Sequence, residues 1–146
     1  MKELLVAFLT TVVLFQVSAA DAEWLTDFAK AKEKAKTENK MILMDFTGSD
    51  WCPPCKALHK NVLTSAEFVE YAKKNLVLVE VDFPTNKKQS AELKKANAEL
   101  AKKFGIEAYP TIIVLNSAGK ELSKNAGYGG EKAKEFIAKI DALKKN

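Results

Sequence analysis

Apolar positions along the chain change period repeatedly, and those changes divide it into elements. Trp24, Leu25, Phe28, Ala31 and Ala35 recur at helical spacing among lysines and glutamates, which predicts an amphipathic helix over about 23–38 that ends near Asn39. Met41 to Phe46 is a compact apolar run of strand length, continuous enough to be buried on both faces. Helical spacing returns after Pro53 with Cys55, Leu58 and Val62. Thr64 and Glu67 stand at capping-box spacing, so a further helix is expected from near Ser65 to Lys74.

Leu76 to Phe83 is a valine-rich strand, and Pro84 to Gln89 a polar loop. Ser90 suits the N-cap of a helix that turns Leu93, Ala96, Leu100 and Phe104 inward, and Gly105 suits a left-handed stop. Thr111 to Leu115 is a third apolar strand, joined through the Asn116 to Lys120 turn to a weaker strand near Glu121 to Lys124. A last helix from Glu131 presents Phe136, Ile137, Ile140 and Leu143. Strands alternating with helices early and a hairpin late predict an α/β domain, a central mixed sheet covered by helices on both faces.

The first twenty residues fit none of this. Lys2, an apolar run from Leu4 to Val17, and small residues Ser18, Ala19 and Ala20 make the pattern of an export signal. A fourteen-residue run is short for a membrane span, which needs about twenty; an uncleaved anchor is the alternative. The division expected is therefore signal peptide 1–20 and one domain 21–146, placed in the periplasm or secreted. All 23 basic residues are lysines, interleaved with 19 acids for a net charge of +4. That is a solvated-face pattern without the bidentate guanidinium suited to phosphate, so no nucleic-acid partner is expected.

Cysteine occurs only at 52 and 55. A bridge between them closes so short a loop that it stabilises by at most about 2 kcal/mol, which makes a staple a poor explanation. Delivered from a strand into a helix start, Cys52 would meet free N–H groups and the positive end of the helix dipole, which favour a thiolate. Cys55, one turn deeper and shielded, would then resolve a mixed disulfide formed at Cys52.

Trp51-Cys52-Pro53-Pro54-Cys55-Lys56 after an apolar strand resembles the active site of the thioredoxin superfamily. Ile106-Glu107-Ala108-Tyr109-Pro110-Thr111 resembles that superfamily's conserved-proline loop, and Gly127 matches the glycine beside its substrate groove. The resemblance spans about 23 to 146 and implies a thioredoxin-like fold in which Pro110 is cis and faces the cysteines. It implies a thiol–disulfide oxidoreductase that reduces or isomerises disulfides in other proteins. The redox-active Cys52-Cys55 disulfide would be its own electron carrier, without a further cofactor, recharged by a membrane-bound or soluble redox partner. Trp51, Pro53, Tyr109, Pro110 and Gly127 would contact substrate; partial core packing is the alternative for Trp51 and Tyr109.

Asp45 matches the superfamily's buried proton-relay carboxylate, but Thr47-Gly48-Ser49-Asp50 makes the connection to Trp51 one residue longer than usual. Asp45 is thus either a relay for the Cys55 proton or an acid at a strand end. The lysine that thioredoxins carry opposite it aligns with Leu78, so no charged partner is expected there, and Asp50 reads as a solvated residue. Pro53-Pro54, with no histidine between the cysteines, points to a moderately reducing or isomerase-like pair. Two rival functions remain. Cys52, Cys55 and His59 could hold copper(I) in a metallochaperone of the same fold, although such relatives space their cysteines more widely. An exported binding module with vestigial cysteines is the third class, and the intact pair argues against it.

Overall fold

A computed structural model describes residues 21–145; the expected export signal, residues 1–20, lies outside them. The strands are β1 (Trp24–Leu25), β2 (Met41–Thr47), β3 (Leu76–Asp82), β4 (Thr111–Leu115) and β5 (Glu121–Ala126). They form one sheet in the order β1-β3-β2-β4-β5. β1, β3 and β2 run parallel, while β4 and β5 are antiparallel to their neighbours. The helices are α1 (Phe28–Glu38), α2 (Pro53–Leu58), α3 (Ala66–Asn75), α4 (Ala91–Lys103) and α5 (Ala133–Ala142). The sheet is mixed and covered on both faces.

Alternation in the strands explains the two layers. Ile42, Met44 and Phe46 with Val77, Val79 and Val81 face α1 and α4, where Ala31, Ala35, Leu100 and Phe104 meet them. Met41, Leu43, Leu76 and Leu78 face the other way, against Leu58 of α2, Phe68 and Ala72 of α3, and Phe136 and Ile140 of α5. Each fully buried large side chain contributes about 1.5–3 kcal/mol. These central strands therefore anchor the loops at their ends, where the cysteines lie.

Three local expectations are corrected. Trp24 and Leu25 are not helical; they pair with Leu78 and Val79 as an edge strand, and α1 starts after Asp27, whose Oδ1 accepts from Lys30 N at 3.1 Å. Ser65, not Thr64, caps α3, accepting from Phe68 N at 3.2 Å. The Thr64 hydroxyl instead donates to the carbonyls of His59 and Lys60, closing a π-helical turn, His59–Leu63, that extends α2. Thr64 is thereby taken up as the C-cap of that turn, and Ser65 is the next hydroxyl available to α3. The hairpin strand also runs further than expected, to Ala126, because Thr111 pairs with it. Ser90 does cap α4, and Gly105 adopts φ 59° after it.

Candidate active site

β2 ends at Thr47 and the chain turns sharply, with Cys52 N donating to Gly48 O at 2.9 Å. Cys52 is the N-cap of α2 in extended conformation, and its Sγ accepts from Cys55 N at 3.4 Å. Pro53 and Pro54 occupy the first turn, where a helix has no use for their missing N–H groups. Cys52 and Cys55 are joined as a disulfide with Cα atoms 5.3 Å apart. Cys55 is shielded as expected, and Cys52 is equally so, each only 3% exposed. The bond draws the Cys52 sulfur over the helix end toward its partner.

Trp51 stands beside this turn, 43% exposed yet fixed. Its Nε1 donates to Phe83 O at 2.8 Å, and its ring meets Tyr109 edge-on at 5.8 Å. Tyr109 in turn packs against Phe83 at 5.3 Å between ring centres, so both aromatics are packed and open at once. Gly48 makes room for this arrangement, because a Cβ there would overlap the Trp51 indole. Gly48→Ala is expected to displace the indole and to lower stability by roughly 1–3 kcal/mol. Denaturant titration and Trp51 fluorescence in a Trp24→Phe background would check it; an unmoved emission spectrum would refute the steric argument.

The extra residue before Trp51 has a structural use. Ser49 donates to Asp82 through both N (3.0 Å) and Oγ (2.5 Å), and Lys87 Nζ donates to Ser49 Oγ at 3.1 Å. Asp50 is not a plain solvated residue. Its carboxylate accepts from the backbone N–H groups of Thr85, Asn86 and Lys87 at 3.0, 2.6 and 3.0 Å. These bonds, that from Thr85 foremost, hold its carboxyl below its usual range. The segment 48–51 and the loop after Phe83 thus brace each other. Isolated acids in a polar stretch gave no sign of this, because the donors lie 35 or more residues away.

Asp45 is buried, 5% exposed, on the sheet face that carries α2, and its Oδ1 has no hydrogen-bond partner among the described residues. Burial pushes its carboxyl up to about 7, with the charges of Glu80 and Asp82 adding to the effect. The residue opposite Asp45 on β3 is Glu80, whereas Leu78 lies opposite Leu43. Leu78 thus supplies no charge, and the parallel register instead brings a second acid, Glu80, beside the first. The signal available in the sequence was the alternation Leu76, Leu78, Glu80, Asp82 along one face of β3.

Tyr109-Pro110 is a cis peptide bond, and Pro110 is buried. Gly127, at φ 84°, donates its N–H to Pro110 O at 2.7 Å, so these two expected groove residues are neighbours. His59 is not gathered with the cysteines. It is exposed in the π-helical turn, and among the described residues no group of three or more His, Cys, Asp and Glu could hold a metal ion.

A family model described as a thioredoxin-like domain matches residues 28–144. The chain is 32% identical over 129 residues to a Chlamydia pneumoniae protein named disulfide bond reductase DsbH, covering 88% of this chain and 76% of that one. It is 32% identical over 108 residues to the thioredoxin-related protein DsbJ of the same organism, there covering 74% of this chain but 31% of the relative. A solved structure titled DsbH oxidoreductase superposes with a TM-score of 0.81 at 31% identity, over 89% of both chains.

Proposed function

The chain belongs to the thioredoxin-like family and is a protein thiol–disulfide oxidoreductase, and from that premise we propose that it is exported and reduces or isomerises disulfides in other proteins. The observation that carries this reading is Cys52 at the N-cap of α2, bonded to Cys55 one turn on. In the reduced protein, the Cys55 N–H directed at the Cys52 sulfur and the positive end of the helix dipole favour a Cys52 thiolate. The thiolate attacks a client disulfide, one client sulfur leaves as a thiolate that takes a proton from water, and Cys52 is held to the other. Cys55 then loses its proton to Asp45, attacks Cys52 Sγ, and the second client sulfur departs as a thiolate that takes a proton from water. Two electrons pass from the cysteine pair to the client, so no further cofactor is called for. A separate membrane-bound or soluble partner restores the dithiol.

Trp51, Pro53, Tyr109, Pro110 and Gly127 are our candidates for holding an extended client strand beside the cysteines, a reading supported by the contacts of Trp51 with Tyr109 and of Gly127 with Pro110. Export is supported by the charged start, apolar run and small exit of residues 1–20. The reducing direction is supported by Pro53-Pro54, which puts no cationic side chain between the cysteines, and by the reductase named among the relatives. Equilibration of the pair against a glutathione series, read by thiol alkylation and mass, tests it. A potential between about −180 and −270 mV is expected, and one near −120 mV would assign the protein to oxidation instead.

A further inference from the structure

The protonation of Asp45 depends on the charges around it. It is enclosed by β3, β4 and α2: on β4 its neighbour is Ile112, which carries no charge, and α2 supplies the cysteines. Only β3 offers acids, Glu80 directly opposite and Asp82 two residues on. Asp82 is committed to Ser49 through both of its oxygens. Glu80 differs from Asp45 in one decisive respect. β1 pairs only with Leu78 and Val79, so Glu80 lies just past the end of β1, where the sheet edge opens, and it is half-buried rather than enclosed.

We propose that Glu80, opposite Asp45 on β3, is a positioning residue whose charge sets the pH at which Asp45 can deprotonate Cys55. The inference rests on the exchange reaction described above. When Cys55 gives its proton to Asp45, the negative charge of Glu80 favours the protonated Asp45 carboxyl; no electrons move in this transfer. Two like charges opposite each other on one sheet face resist being ionised together, which favours the protonated form of Asp45. The surroundings of Glu80 agree with its role. Burial and the charge of Asp82 raise its carboxyl, while Lys87 from the loop and His59 from the π-helical turn act in the opposite sense.

The test is the pH dependence of single-turnover reduction of a small peptide disulfide between pH 5 and 9, for the parent protein, Glu80→Gln and Glu80→Lys. Removing the charge is expected to move the limb on which the rate rises with pH downward by about half to one pH unit, and reversing it to move the limb further. Neither substitution should shift the limb in an Asp45→Asn background. A limb that stays in place in folded Glu80→Gln, or that moves equally without Asp45, would overturn the role of Glu80. No turnover by the parent protein would instead remove the oxidoreductase reading on which it rests.

Discussion

Disulfide reduction is expected to fall to background when Cys52 is replaced by serine, whereas Cys55→Ser should leave the first attack intact and accumulate a covalent adduct with the client. The asymmetry follows from position. Cys52 is the residue at the helix end, where the helix dipole and the Cys55 N–H favour a thiolate; Cys55 lies one turn inside the helix with its own N–H donated to Cys52 Sγ. A serine hydroxyl in place of Cys52 stays protonated at neutral pH and cannot form the mixed disulfide. Without Cys55 the mixed disulfide has no internal nucleophile to resolve it. Neither loss should unfold the protein, because a bridge across so short a loop stabilises by at most about 2 kcal/mol. Non-reducing mass spectrometry after mixing with a client disulfide distinguishes the two. Adducts on Cys52→Ser rather than on Cys55→Ser would reverse the roles.

Replacing Asp45 is the substitution with the largest expected effect on stability, and its sign depends on pH. The folded carboxyl is raised from 3.8 to about 7, chiefly by burial. The stability linked to its bound proton is full below 3.8, declines as pH climbs through the window up to about 7, and is absent above it. At pH 8 the folded state thus bears a cost of up to about 4 kcal/mol for holding Asp45 ionised. Asp45→Asn removes that cost while introducing a buried amide whose own penalty, about 1–3 kcal/mol, is the same at every pH. The variant should therefore gain on the parent by up to about 4 kcal/mol between pH 4 and pH 8, whatever its absolute stability. Groups elsewhere titrate in both proteins and largely cancel from the difference. Urea unfolding at the two pH values measures it, and parallel stability curves would mean that Asp45 ionises freely in the folded protein. In the same variant the resolving step should slow, since the base for the Cys55 proton is gone.

The core strands, the cysteine turn and the cap of α4 were legible because each depends on residues close in sequence. Met41 to Phe46 is apolar throughout, Ser90 precedes a periodic helix, and two prolines follow Cys52 at a helix start. Local hydrogen bonds and hydrophobic period act over a few residues, so such patterns carry their own structural meaning. The export pattern of residues 1–20 is of the same local kind.

Other features depended on segments that meet only in the folded chain. Trp24 and Leu25 carry a helical period, yet Leu78 and Val79 offer them a strand's hydrogen bonds. Asp50 looks solvated until Thr85, Asn86 and Lys87 bring their amides to it. Above all, the partner of Asp45 is set by the register of β2 on β3, and an offset of two residues separates Leu78 from Glu80 on the same sheet face. The sequence by itself determined the α/β arrangement and the cysteine turn, because their signals are local and strong, and the proline loop was legible through its resemblance to the superfamily's loop. Only tertiary structure decided which carboxyls share the buried space at the end of β2. That choice rests on backbone pairing between strands some thirty-five residues apart, a distance over which hydrophobic pattern alone leaves the register free.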